Sequence, residues 1–189
     1  VQVEEWMTYT KSGLTHYGEY FDIPYPFVKY DQIIVPDFLI GAMENVAAVT
    51  FSESYVDRGA SNRFNSQRRA STILHEMAHM WFGDLVTMNW WNGLWLNESF
   101  ATLMSAIAVY ESTEFEDLWH DFYLSENITA IAADSAVSTH PIEMEVASSN
   151  DFFNVFDSIT YDKGASVLNQ LSHYIGRENF RLGVSNYLK

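Results

Sequence analysis

The chain has 189 residues, of which 48% are hydrophobic and 16% aromatic, a composition that fits a globular fold with a sizeable core and excludes a disordered segment. Ten Lys and Arg stand against 25 Asp and Glu, a formal net charge of −15 that argues against nucleic acid as a partner, because a phosphate backbone is bound by clustered cations. There are no cysteines, so the sequence points to no disulfide framework, and any metal must be held by His and carboxylate.

No apolar run reaches the roughly 18 residues of a membrane span, and Val1-Gln2-Val3-Glu4-Glu5-Trp6 has no basic-then-apolar signal pattern, so no membrane span is expected in this segment. The chain starts without Met and stops at Tyr187-Leu188-Lys189 inside a helical pattern. Residues 1–189 are expected to form one domain, truncated from a longer multidomain chain.

In chain order, residues 3–20 read as a helix interrupted in propensity by Gly13 and Gly18. Ile23-Pro24-Tyr25-Pro26-Phe27 reads as extended, since each Pro fixes its own φ and moves the preceding residue out of the helical region. Apolar, partly β-branched runs at 30–36 and 45–51 predict two strands, paired antiparallel through the short loop 37–44, with residues 41–45 at a sheet edge. The polar stretch 56–66 predicts a loop ending in a helix cap near Ser66, and the next helix runs to Gly83. Trp90, Trp91, Gly93 and Trp95 form an aromatic loop, with Asn97 as the expected cap of a helix over 98–111. Helical spacing continues through 115–133, turn-rich breaks follow at 138–141 and 148–151, and a last helical region passes Val167, Leu168, Leu171 and Tyr174. Strands first and helices afterwards predict an α+β fold with a short mixed or antiparallel sheet followed by a mainly helical part.

The chemistry-bearing stretch is His75-Glu76-Met77-Ala78-His79, followed eighteen residues later by Asn97-Glu98-Ser99. Residues four apart on a helix share a face, so His75 and His79 can direct imidazole nitrogens at one ion. Glu98, arriving from a separate element, completes a His-His-Glu set of the kind that leaves a zinc ion one open position. A chance His-Glu-x-x-His in a chain of this composition is expected roughly 0.01 times, which makes one Zn2+ the expected cofactor. His16, His120, His140 and His173 lack ligand spacing to one another. Asn97-Glu98-Ser99 and Asn127-Ile128-Thr129 both match the glycan acceptor pattern, but a glycan on Asn97 would sit beside the metal.

Gly41-Ala42-Met43-Glu44-Asn45, His75-Glu76-x-x-His79, Asn97-Glu98 and Tyr161-Asp162-Lys163-Gly164, in that order, closely resemble the zinc aminopeptidases that include aminopeptidase N and leukotriene A4 hydrolase. Residues 81–88 and 90–98 resemble that family around its ligands as well. The resemblance implies a thermolysin-like catalytic domain flanked by further domains, and peptides with a free amino terminus as substrates. It implies His75, His79 and Glu98 as metal ligands, Glu76 as general base and acid, and Tyr161 as donor to the developing oxyanion. Glu44 would hold the substrate ammonium through a charge-assisted hydrogen bond, and Gly41 and Ala42 would let the substrate lie against the chain as an added strand. Two departures stand out: Ser99 where the family usually has Gly, and Asp84 where Asn is common. A thermolysin-like endopeptidase would share the metal motif without needing residues 41–45, and a non-catalytic scaffold would need none of these residues together.

Overall fold

The computed structural model describes residues 2–148 and 152–189 and bears out the α+β expectation. Helix α1 spans Gln2–Phe21, followed by strands β1 (Asp31–Val35), β2 (Ala42–Met43) and β3 (Ala48–Ser52). Helices α2 (Arg63–Ala78), α3 (Trp95–Ser112), α4 (Leu118–Phe122), α5 (Ile128–Asp134), α6 (Gly164–Ile175) and α7 (Arg177–Leu188) make up most of the rest. Two π-helical turns, Tyr123–Asn127 and Ile159–Lys163, interrupt the second half. The expected break at 148–151 falls largely outside the described residues.

The pairing of the two predicted strands differs from the sequence reading. The sheet order is β1-β3-β2, and β1 and β3 run parallel, with Asp31 opposite Ala48 and Val35 opposite Ser52. A parallel pair needs a connection that returns to the starting end, and residues 36–47 make that return. On the way they lay Ala42–Met43 antiparallel along the far side of β3, Ala42 opposite Phe51 and Met43 opposite Thr50. Asp37 and Ala47, both at positive φ, turn the chain at either end of the excursion. Residues 41–45 therefore do lie at a sheet edge, as the sequence indicates, but through a different pairing.

The core is built where α1, α2 and α3 meet. Ile73, Leu74 and Met77 of α2 and Leu103, Ala108 and Val109 of α3 are fully buried. Gly13, which weakens α1 in propensity, is where α1 crosses α2: a Cβ there would lie 2.2 Å from Leu74 Cδ2 and 2.9 Å from Met77 Sδ. Tyr17, also fully buried, donates its hydroxyl to the Leu74 carbonyl at 2.8 Å. An aromatic cluster of Tyr17, Phe21, Trp81 and Phe82 then fixes the chain just beyond α2. This packing makes the C-terminal end of α2 a rigid platform for the site.

His16 of α1 is enclosed by Tyr17 and Tyr20, and burial lowers its pKa to about 4. The Glu111 carboxylate, 4.0 Å from Nδ1, does not offset that desolvation. A folded pKa below the unfolded value of about 6.5 means that the unfolded chain takes up a proton that the folded chain refuses. The contribution of this residue to stability is therefore expected to be constant above pH 6.5 and to fall by up to about 3 kcal/mol between pH 6.5 and 4. Urea midpoints across that range for the protein and for His16→Phe check it; an identical acid slope in both would refute the assignment.

Candidate metal centre

Helix α2 begins at Asn62, whose side chain accepts from Asn65 N at 2.9 Å, rather than at the predicted Ser66. It ends at Ala78, before the expected Gly83, so His79 is its capping residue while keeping the right-handed helical conformation that leaves it on the His75 face. Gly83, at φ 126°, then turns the chain, its N–H bonded to the Val86 carbonyl at 2.9 Å. The aromatic loop is pinned by Trp90 Nε1 donating to the Val146 carbonyl at 2.7 Å and by Leu94 packing with Val146 and Val155. Helix α3 starts at Trp95, so Asn97 is no cap: it lies within the first turn, buried, against the Cα of Gly83. That contact sets α3 alongside the end of α2 and brings Glu98 to the two histidines.

Three donor atoms converge there. His75 Nε2 and His79 Nε2 are 3.2 Å apart, and each is 3.3 Å from Glu98 Oε2. The edges of a tetrahedron with arms of 2.0–2.1 Å are about 3.3–3.4 Å, so the triangle has the size that a four-coordinate zinc requires. Glu98 Oε2 is shielded from solvent, with both imidazole nitrogens 3.3 Å away. His79 Nδ1 lies 3.0 Å from the Phe82 carbonyl; a carbonyl only accepts, so Nδ1 carries a proton and Nε2 is the nitrogen that faces the triangle. The residues present thus fit a divalent metal of zinc's preferences.

Glu44, at the end of β2, reaches the opposite side of His79, with Oε1 3.9 Å from Nδ1. Ligand atoms of Glu44, Glu76 and His79 all lie within 4.8 Å of one another. Burial raises the Glu76 pKa to about 7, opposed by His75 and His79 and reinforced by Glu44 and Glu98. For Glu98 burial works upward too, but His79 and His75 prevail and hold it well below the usual carboxylate range. His79 shows the complement: burial disfavours its charge, yet Glu98 and Glu44 raise its pKa to about 10.

Tyr161 stands in the second π-helical turn, its ring stacked over His75 with centroids 6.0 Å apart and planes at 16°. Burial, then the facing Glu98 carboxylate, push its phenol far above the ordinary value, so it remains a donor at any working pH. Of the eight residues singled out from the sequence, Glu44, His75, Glu76, His79, Glu98 and Tyr161 come together in one place, while Ala42 lies on β2 and Gly41 just before it.

Two supporting residues stood out in the sequence only as departures from the family pattern. Ser99 does not disturb the turn after Glu98; it is fully buried and donates to the Thr160 carbonyl at 2.6 Å, tying Glu98's helix to the turn that carries Tyr161. Gly164 permits the approach, since a Cβ there would meet Ser99 Oγ at 1.8 Å. Asp84 adds a carboxylate near Glu44 and His79, and burial, then Glu44, raise its pKa to about 7.

Residues 6–189 match the peptidase family M1 domain. Aminopeptidase N of Streptomyces lividans is 49% identical over 182 residues, 95% of this chain and 21% of that protein. Aminopeptidase M1-D of Oryza sativa subsp. japonica is 46% identical over 179 residues, 94% of this chain and 20% of its own length. Leucyl aminopeptidase of Saccharolobus solfataricus is 44% identical over 184 residues, 97% and 23% respectively. The chain spans about a fifth of the length of these curated relatives. With a family match over nearly all of its residues, the chain belongs to peptidase family M1.

Proposed function

We propose that this chain is the catalytic segment of a zinc aminopeptidase, acting on peptides with a free amino terminus together with the flanking domains of a longer protein. The observation that carries the reading is the triangle of His75 Nε2, His79 Nε2 and Glu98 Oε2, sized for one zinc ion, with Glu44 on its far side. When bound, zinc supplies an activated water and polarises the scissile carbonyl.

The chain's own residues do the rest. Glu76, next to a ligand and 6% exposed, takes the proton of the attacking water on its carboxylate and passes it to the departing amine. Tyr161 directs its phenol hydrogen at the carbonyl oxygen as charge develops there. Glu44 pairs with the substrate α-ammonium and fixes how far the peptide enters, which limits cleavage to the first bond. Ala42 and Met43 offer the outer edge of β2, unpaired among the described residues, to the substrate backbone.

An aminoacyl anilide should be hydrolysed in a chelator-sensitive way and its N-acetylated analogue spared. Removing the Glu44 charge in Glu44→Gln should raise KM about ten- to a hundredfold, the size of one charge-assisted hydrogen bond. Equal cleavage of the acetylated substrate would refute the role of Glu44 and return the site to an endopeptidase.

A further inference from the structure

Beyond the metal triangle, a cleft of about 440 Å³ opens between α2, α3 and α4, with Tyr55, Arg68, Thr72, Thr102, Asp121 and Glu126 in its walls. Helical register relates it to the site. Arg68 and Thr72 precede His75 by seven and three residues on α2, and Thr102 follows Glu98 by four on α3. Residues at those spacings share a face, so the cleft continues the faces that present the metal-ligand candidates.

Tyr55 joins this cleft to β2. Its hydroxyl is 3.1 Å from Thr72 Oγ1, and a Cβ at Gly41 would lie 3.0 Å from the same hydroxyl. A peptide whose ammonium rests at Glu44 and whose backbone follows the outer edge of β2 passes Ala42, reaches Gly41, and so meets Tyr55 at the mouth of the cleft. Arg68 is exposed there, its guanidinium 4.3 Å from the centre of the Tyr55 ring and in no ion pair among the described residues. The opposite wall holds Asp121 and Glu126, but Asp121 already accepts from Gln67 Nε2 and Glu126 from Ser125 Oγ. Arg68 is the cation of this cleft left without a carboxylate.

We propose that the cleft receives the part of the peptide beyond the scissile bond, with Arg68 pairing with its terminal carboxylate, so that short peptides with a free C-terminus are preferred. This rests on the aminopeptidase reading above. Seven helical residues span about 10 Å, the length of about three extended residues, which puts the preferred substrate near a tetrapeptide.

The test compares the complete protein with Arg68→Met and Arg68→Lys on an alanine tetrapeptide as free acid, as C-terminal amide, and as an amide ending in lysine. The protein should favour the free acid over the amide about tenfold in KM, Arg68→Met should bring that ratio close to one, and Arg68→Lys should retain part of it. The same ratio in the protein and in Arg68→Met, or a preference for the lysine-ended amide, would overturn the inference and assign the cleft to its acidic wall. Absence of turnover on every peptide and on an aminoacyl anilide would instead overturn the aminopeptidase reading beneath it.

Discussion

Glu76→Gln is expected to lower kcat by roughly 10²–10⁴-fold, the range of a positioned general base, while metal content and KM change little. The amide fills the same volume in the buried position that Glu76 occupies on α2, beside Glu44 and His79. What it loses is the ability to take a proton from water and hand it on. Activity within tenfold of the original, with metal retained, would remove Glu76 from the reaction and move the proton transfer elsewhere; loss of metal together with activity would make its role structural.

Tyr161→Phe should cost about 10²–10³ in kcat, the scale measured when one donor to an oxyanion is removed. The ring would still stack on His75, and the Ser99 bond to the Thr160 carbonyl would still hold the π-helical turn in place. A change confined to KM would show that the hydroxyl serves binding and not the developing charge. A π-helical turn at a reacting group is a common device, since the widened turn presents a side chain that an α-helix would rotate away.

The parts of this site legible in the sequence are those governed by local periodicity. His75 and His79 are one helical turn apart, and no tertiary knowledge is needed to see that they share a face. Glu98 could be read only as a distant carboxylate, because what brings it in is the buried contact of Asn97 with Gly83 and the pinned aromatic loop. Glu44 and Tyr161, more than thirty and eighty residues from the first histidine, carry no spacing signal and were identifiable through family resemblance alone. The pairing of β1 with β3 is hidden for a related reason: apolar runs mark strands but not their partners, and loop 36–47 can close a hairpin or return for a parallel pair. Gly13 was read by propensity as a weakness in α1, whereas the close crossing of α1 over Leu74 and Met77 accounts for it. Tyr55 and Arg68 carry no sequence signature, since their meeting at the cleft depends on where the turn after β3 and α2 come together.

The most direct test of the metal centre is the stoichiometry and coordination of bound metal in the protein and in Glu98→Ala, by elemental analysis and X-ray absorption. One zinc per chain is expected, held by two nitrogens and a carboxylate oxygen within about 2.0–2.2 Å, with occupancy falling sharply in Glu98→Ala. Substoichiometric metal in the protein, or full occupancy and an unchanged coordination shell in Glu98→Ala, would contradict the assignment of His75, His79 and Glu98 as its ligands.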